Sequence, residues 1–185
     1  MRYYTMRFGS IEQKLPLCKV TDTLYIAGFV TLGDPKLTLE CAKELLKKAP
    51  EYDYILTAEA KGIPLAHEMA RLHGDAKYIV ARKAAKLYMT EVFEVEVRSI
   101  TTAQPQKLYL DKLDADLMRG KRILIVDDVI STGESLRALQ TLAQRSGGNI
   151  VGNMAVLGEG AAAERGDIIV LQPLPLFNAD GTIKK

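Results

Sequence analysis

Thirteen consecutive residues hold much of the chemistry this chain can do: Ile123-Leu124-Ile125-Val126-Asp127-Asp128-Val129-Ile130-Ser131-Thr132-Gly133-Glu134-Ser135. The apolar run reads as a strand buried on both faces. It ends in two carboxylates, and a tight Ser-Thr-Gly-Glu-Ser turn then opens a helix. Backbone N–H groups of the turn, the helix N-terminus and three hydroxyls converge on one small volume, which suits a phosphate dianion. Carboxylates beside a phosphate make sense if the ligand is a sugar phosphate, because ribose hydroxyls donate and carboxylates accept. Strand alternation sends Asp127 and Asp128 to opposite faces, so both reach one ribose only if the strand has ended near Asp127. The plain alternative is an ordinary strand, turn and helix with a serine cap.

Two upstream segments also cluster charge. Glu59-Ala60-Lys61-Gly62-Ile63 follows a strand and opens a helix, and Arg82-Lys83-Ala84-Ala85-Lys86-Leu87 sits at the end of another strand. As a bare cluster the second is equally a solvated strand end. His67 and His73 lie on different faces of one helix and read as surface or packing residues. Cys18 and Cys41 have no ligand or disulfide spacing and read as buried free thiols.

The elements that must position these residues alternate. Residues 37–49 have helical spacing at Leu37, Cys41, Leu45 and Leu46, 52–58 are strand-like, and 62–74 are helical, with Pro64 in the first turn and Gly74 as the stop. Strands follow at 77–83 and 122–129, then a helix over 134–148 with Leu136, Leu139, Leu142 and Ala143 on one face and Gly147-Gly148 as a turn. Strands at 149–157 and 167–172 complete the pattern. It calls for an α/β fold with a doubly wound, mostly parallel sheet, in one domain spanning 1–185. Residues 84–112 break the pattern. Strand-like 92–99 and 107–111 flank the polar 101–106, which predicts an antiparallel hairpin, and an insertion of this length reads as a flexible hood over a binding site. Asp114 and Asp116 are expected to cap and decorate a short helix near 113–118.

The 123–135 window resembles the signature of the type I phosphoribosyltransferases, a hydrophobic run followed by Asp-Asp-Val-x-Ser-Thr-Gly-x-Ser. The resemblance implies a ligand, 5-phosphoribosyl-1-pyrophosphate (PRPP). Asp127 and Asp128 would then hold the ribose hydroxyls. Ser131, Thr132, Gly133, Glu134 and Ser135 would wrap the 5-phosphate, Glu134 through its backbone N–H alone. Glu59-Ala60-Lys61-Gly62 is similar to the pyrophosphate loop of the purine branch, with Lys61 in place of the commoner Arg, which keeps the charge and loses the bidentate fork. Arg82, Lys83 and Lys86 match the run that meets pyrophosphate and leads into the hood. The likeness covers roughly 24–177, with base-side segments at about 24–34 and 158–177. There Phe29 and Phe177 would stack on a base, with plain core packing the equal alternative.

The implied reaction is displacement at C1 of the ribose by a purine nitrogen, with pyrophosphate leaving as its Mg2+ complex. The magnesium would come with PRPP, and no protein ligand is assigned to it. No catalytic acid is assigned either. Residues 148–177 contain no Lys to meet a 6-oxo group, which favours adenine. Against this, Ser99 to Gln104 lack the Glu-Tyr-Gly run of the adenine enzymes, and the hood and 24–37 look closer to xanthine phosphoribosyltransferases. Xanthine or hypoxanthine-guanine transfer is therefore the alternative. A non-catalytic PRPP-sensing regulator is another, although only about 23 residues precede the matched region, too few for the DNA-binding domain of the purine repressors.

Composition narrows the classes further. A chain of 185 residues with 48% hydrophobic and 26% charged residues builds an ordinary core without disulfides or a structural metal. A net charge of +2 supplies no bulk attraction for duplex nucleic acid or anionic membrane. No apolar run reaches the roughly 20 residues a membrane span needs, and the opening segment has no secretory h-region. The expected protein is a cytoplasmic homodimer acting on small molecules.

Overall fold

The structure, a computed structural model, describes residues 2–89, 91–97 and 106–184. Its centre is a five-stranded sheet in the order β10-β9-β8-β4-β5, with every neighbouring pair parallel. The strands are β4 (Tyr54–Ala58), β5 (Ile79–Ala81), β8 (Arg122–Ile130), β9 (Asn149–Glu159) and β10 (Ile169–Leu174). Side chains along them alternate between two cores. Ile55, Leu124 and Val126 pack with α1 (Pro35–Leu46) and α2 (Ile63–His73), whereas Leu56, Ile123 and Ile125 pack with α4 (Glu134–Arg145). A sheet covered on both faces is what the uninterrupted apolar runs require.

The helices begin and stop where local chemistry dictates. Asp34 caps α1 by accepting a hydrogen bond from Leu37 N at 3.0 Å, and Pro35 opens it. Gly74 ends α2 in the left-handed conformation. The short α3 (Lys112–Met118) departs from expectation at its start. Asp111, not Asp114, is the cap, accepting from Leu113 N at 3.0 Å. Asp114 instead forms an ion pair with Lys77, and Asp116 pairs with Lys112 and Arg119.

The hairpin expected between the second and third strands of the alternation is present. β6 (Val92–Val97) and β7 (Gln106–Asp111) pair antiparallel, from Val92 opposite Asp111 to Val97 opposite Gln106. Val95, Leu108 and Leu110 are buried in the α4-side core. Backbone hydrogen bonds of 2.8 Å in both directions between Arg82 and Tyr109 tie β7 to the end of β5. The polar tip, residues 101–105, and the comparison built on Ser99 to Gln104 lie outside the described residues.

Ahead of the α/β alternation is a three-stranded antiparallel sheet that the pattern reading did not anticipate, formed by β1 (Tyr3–Phe8), β2 (Ile11–Lys19) and β3 (Tyr25–Ala27). Its turn uses Gly9 at φ +56°, and it buries Met6, Phe8 and Leu15 against the α1 side of the core. Cys41 is buried as expected, but Cys18, near the exposed end of β2, is on the surface. Among the described residues no helix is long and apolar enough to cross a membrane.

Candidate active site

Parallel strands deliver their C-terminal ends to one edge, where the following loops gather. The end of β4 supplies Glu59 to Gly62, the end of β5 supplies Arg82 and Lys83, and the end of β8 supplies Asp127 and Asp128. A cavity of about 490 Å³ lies among them, lined by Glu59, Ala60, Lys61, Lys83, Asp127, Asp128 and Ser135, together with Lys107 and Leu108 of β7. Beside it is a smaller hollow of about 40 Å³ formed by Asp127 and residues 129–136.

The strand does not end at Asp127, as one shared ribose seemed to demand of alternation. β8 stays paired with β9 as far as Ile130 opposite Gly158. Both carboxylates nevertheless line the one cavity. Gly62 leaves the room for this, since a Cβ there would stand 3.0 Å from Asp127 Oδ1 and 2.3 Å from Thr57 Oγ1. Asp127 Oδ1 accepts the N–H of Asp128 at 2.9 Å. Lys61 Nζ stands 2.8 Å from the buried Asp128 Oδ2, yet that oxygen has no aligned hydrogen bond among the described residues. The contact is thus an ion pair without hydrogen-bond geometry. Burial, reinforced by the Asp128 charge, pushes the Asp127 carboxyl up to about 7, and Lys61 pulls the other way.

The small hollow lies at the turn where the anion cradle is expected. Ser131 to Gly133 curl ahead of α4, whose first turn lines the hollow with them, and Gly133 turns the chain at φ +76°. A side chain at 133 would also meet Arg165, whose Nη1 would be 2.5 Å from its Cβ. Arg165 is held by Asp167 through hydrogen bonds of 2.9 and 2.7 Å.

On the opposite wall the peptide between Glu59 and Ala60 is cis. Glu59 accepts the Lys83 N–H at 3.1 Å and one Arg82 Nη2 hydrogen bond at 3.2 Å. The Lys83 N–H above all, with Arg82 contributing, holds its carboxyl below the usual range against the opposing effect of burial. Arg82 Nη1 donates to Tyr88 Oη at 3.0 Å. The guanidinium is therefore engaged by Glu59 and Tyr88, and Arg82 does not line the cavity. Lys86 does not line it either. Phe29 and Phe177 are core residues, 3% and 1% exposed. Phe29 packs 5.2 Å from Phe8 and Phe177 packs 5.0 Å from Tyr4, centroid to centroid.

The sequence reading missed Lys107, Thr57 and Thr31. Thr31 Oγ1 donates to the Lys61 carbonyl at 3.1 Å, fixing the loop that carries the Lys61 ammonium. None of the three stands in a local motif. Among the described residues no group of three or more His, Cys, Asp or Glu could hold a metal by itself. Two carboxylates beside loops expected to hold phosphate groups fit a magnesium ion that would arrive coordinated by its substrate.

Comparison with known proteins agrees with this geometry. Residues 35–172 match the phosphoribosyl transferase domain. A hypoxanthine/guanine phosphoribosyltransferase from Methanotorris igneus is 34% identical over 137 residues, 73% of this chain and 70% of that protein. One from Methanothermococcus okinawensis is 31% identical, over 80% of each chain. Among solved structures, adenine phosphoribosyltransferase from Thermoanaerobacter pseudethanolicus superposes with a TM-score of 0.66 at 22% identity, covering 93% of this chain and 95% of that one. The Giardia lamblia enzyme complexed with 9-deazaadenine gives 0.64 at 18%, covering 92% and 93%. At such identities the structural likeness establishes the fold. With the matched domain and relatives above 30% identity, it follows that the chain is a phosphoribosyltransferase and belongs to the phosphoribosyl transferase family.

Proposed function

We propose that this protein is a purine phosphoribosyltransferase that joins the phosphoribosyl group of PRPP to a purine base, adenine being favoured, and releases the nucleoside monophosphate and pyrophosphate. The observation that carries the reading is the single cavity shared by Asp127, Asp128, Lys61, Lys83 and Ser135, next to the hollow at the start of α4. The hollow takes the 5-phosphate on backbone N–H groups. Asp127 and Asp128 accept hydrogen bonds from the ribose hydroxyls, and Lys61 and Lys83 neutralise the leaving pyrophosphate. Magnesium, when bound, would share that neutralisation. Positioning and charge stabilisation then carry the rate, because a loose transition state at C1 asks little covalent chemistry of the protein.

Adenine is favoured because 148–177 offer no ammonium to a 6-oxo group. A buried carbonyl left unpaired costs about 1–3 kcal/mol, or roughly 5- to 150-fold in discrimination. The second reading, a 6-oxopurine, is supported by the hypoxanthine/guanine relatives. Steady-state rates with adenine, hypoxanthine, guanine and xanthine at equal PRPP test the proposal. Adenine should give the highest kcat/KM. A preference for an oxopurine would overturn that choice, and absence of base-dependent pyrophosphate release would favour the PRPP-sensing regulator. A homodimer is part of the same proposal, consistent with the exposed apolar Val30, Leu32, Leu87 and Tyr88.

A further inference from the structure

We infer that Lys107, carried by the hood strand β7, is a pyrophosphate-binding residue that completes the cation set of the cavity. The inference rests on the transferase reading and names a residue that neither the 123–135 signature nor the Glu59 and Arg82 segments contain. Lys107 lines the same cavity as Lys61 and Lys83.

Its backbone is held there. Leu108 and Leu110 on either side of Tyr109 are buried in the α4-side core, and Tyr109 exchanges two backbone hydrogen bonds with Arg82. β7 is thus stitched to the end of β5, the strand that delivers Lys83. The charge balance of the cavity also asks for such a residue. Its wall carries three carboxyl side chains, Glu59, Asp127 and Asp128, and a pyrophosphate adds further negative charge. Lys61 already faces Asp128, and the Arg82 guanidinium is engaged by Glu59 and Tyr88. Among the described lining residues, Lys107 is the cation that the hood adds to Lys61 and Lys83. One contact of Lys107 is the ion pair of its ammonium with Glu94 Oε1, 2.7 Å away across the hairpin, with both side chains about two-fifths exposed. An exposed pair of that kind is weakly held. An anion desolvated inside the cavity competes for the ammonium on better terms, because charge-assisted hydrogen bonds strengthen away from water.

Calorimetric titration of magnesium pyrophosphate and, separately, ribose 5-phosphate tests the assignment on wild type, Lys107→Ala and Lys107→Arg. Pyrophosphate affinity should fall about tenfold in Lys107→Ala, the equivalent of one charge-assisted contact. Ribose 5-phosphate should bind all three proteins alike, and Lys107→Arg should keep pyrophosphate affinity within about threefold of wild type by the same arithmetic. Unchanged pyrophosphate affinity in Lys107→Ala would overturn the inference. Equal losses for both ligands would also overturn it, since they would mark a disturbed hairpin and not a lost contact. If the wild type binds both ligands with this pattern but turns over no base, Lys107 stands and the transferase reading fails. A wild type that binds neither ligand would overturn both.

Discussion

Substituting Gly62 by alanine puts a single methyl group where the site has no space. The glycine is not there for its backbone freedom: at φ −72° and ψ −19° it sits in the right-handed helical region open to any residue. Space is the constraint. A Cβ at 62 would lie 2.3 Å from Thr57 Oγ1, 3.0 Å from Asp127 Oδ1 and 3.4 Å from Asp127 Cα. Thr57 is fully buried, and the Cα belongs to β8 in the middle of the sheet, so the side chains must give way before the backbone does. Overpacking of this kind costs about 1–3 kcal/mol. Alanine recovers about 0.4–1 kcal/mol of that by restricting the unfolded chain. The net loss, between about 0 and 2.6 kcal/mol, should lower Tm by up to roughly 10 °C for a chain of this size. Displacing Asp127 should weaken PRPP more than the stability change suggests, by at least about tenfold if one carboxylate contact is lost. Differential scanning calorimetry and isothermal titration of PRPP read the two effects. A double-mutant cycle with Thr57→Ala separates their causes. Removing Oγ1 should restore most of the Tm, whereas the 3.0 Å contact with Asp127 remains and holds PRPP affinity below wild type. A Gly62→Ala protein with wild-type Tm and PRPP affinity would refute the close-packing argument and, with it, the placement of Asp127 in the ribose site.

Asp127→Asn should weaken PRPP by about 10- to 150-fold, the range for one hydrogen bond to a charged group, and calorimetric titration checks it. The same variant tests the buried carboxyl through its pH dependence. Because the native Asp127 is pushed up to about 7 from an ordinary 3.8, the folded protein keeps a proton that the unfolded chain releases. This contribution to stability is therefore complete below about pH 4 and is lost as pH rises toward 7. Urea unfolding should show Asp127→Asn gaining on wild type between pH 5 and pH 8, and a pH-independent difference would remove the assignment. Gly133→Ala must adopt φ +76° and meet Arg165, so ribose 5-phosphate affinity should fall while pyrophosphate affinity holds. The left-handed backbone alone costs about 1–2 kcal/mol, visible as a lower Tm.

The parts of this molecule that sequence patterning reached share one property: their information is local. The apolar runs of β4, β8 and β9 and the spaced leucines of α4 each occupy one stretch, as do the acid pair and the hydroxyl-rich turn of 127–135. The N-terminal sheet was not reached. Its strands mix Glu12, Lys14 and Lys19 with Pro16, and β3 is only three residues long, so no period becomes visible. The alternating Met6 and Phe8 before the Gly9-Ser10 turn were its only signal. In the site, Thr57, Thr31 and Lys107 gain meaning from segments distant in sequence that the fold brings beside them. Arg82 shows the opposite case. Its place in a basic run nominates it for pyrophosphate, and the structure adds what the run could not show: Glu59, 23 residues earlier, and Tyr88 each accept a hydrogen bond from its guanidinium. Phe29 and Phe177 were nominated by type, and the three-stranded sheet covers both with Phe8 and Tyr4.

The order of strands sets the contacts proposed for PRPP apart from the segments expected to hold the base. β8 lies between β4 and β9, so the acid pair at its end has the Glu59 to Gly62 loop on one side and the end of β9 on the other. Every charged contact proposed for PRPP comes from the β5, β4 and β8 side, or from the hairpin bridged to β5. The two base-side segments meet at the other end: Tyr25 of β3 and Phe177, just beyond β10, exchange backbone hydrogen bonds of 2.8 and 2.9 Å. One cross-linked unit thus carries both segments, anchored by the Phe177 ring in the core. Substitutions there should change which base is accepted while leaving PRPP affinity intact, because no charged PRPP contact passes through that unit. With no lysine in 148–177, recognition of a base there would fall to backbone N–H and C=O groups, which nearly every residue carries. Under the proposed base-side role, specificity at this end of the sheet would be set by how the chain is held, and the Tyr25–Phe177 bridge holds both segments together.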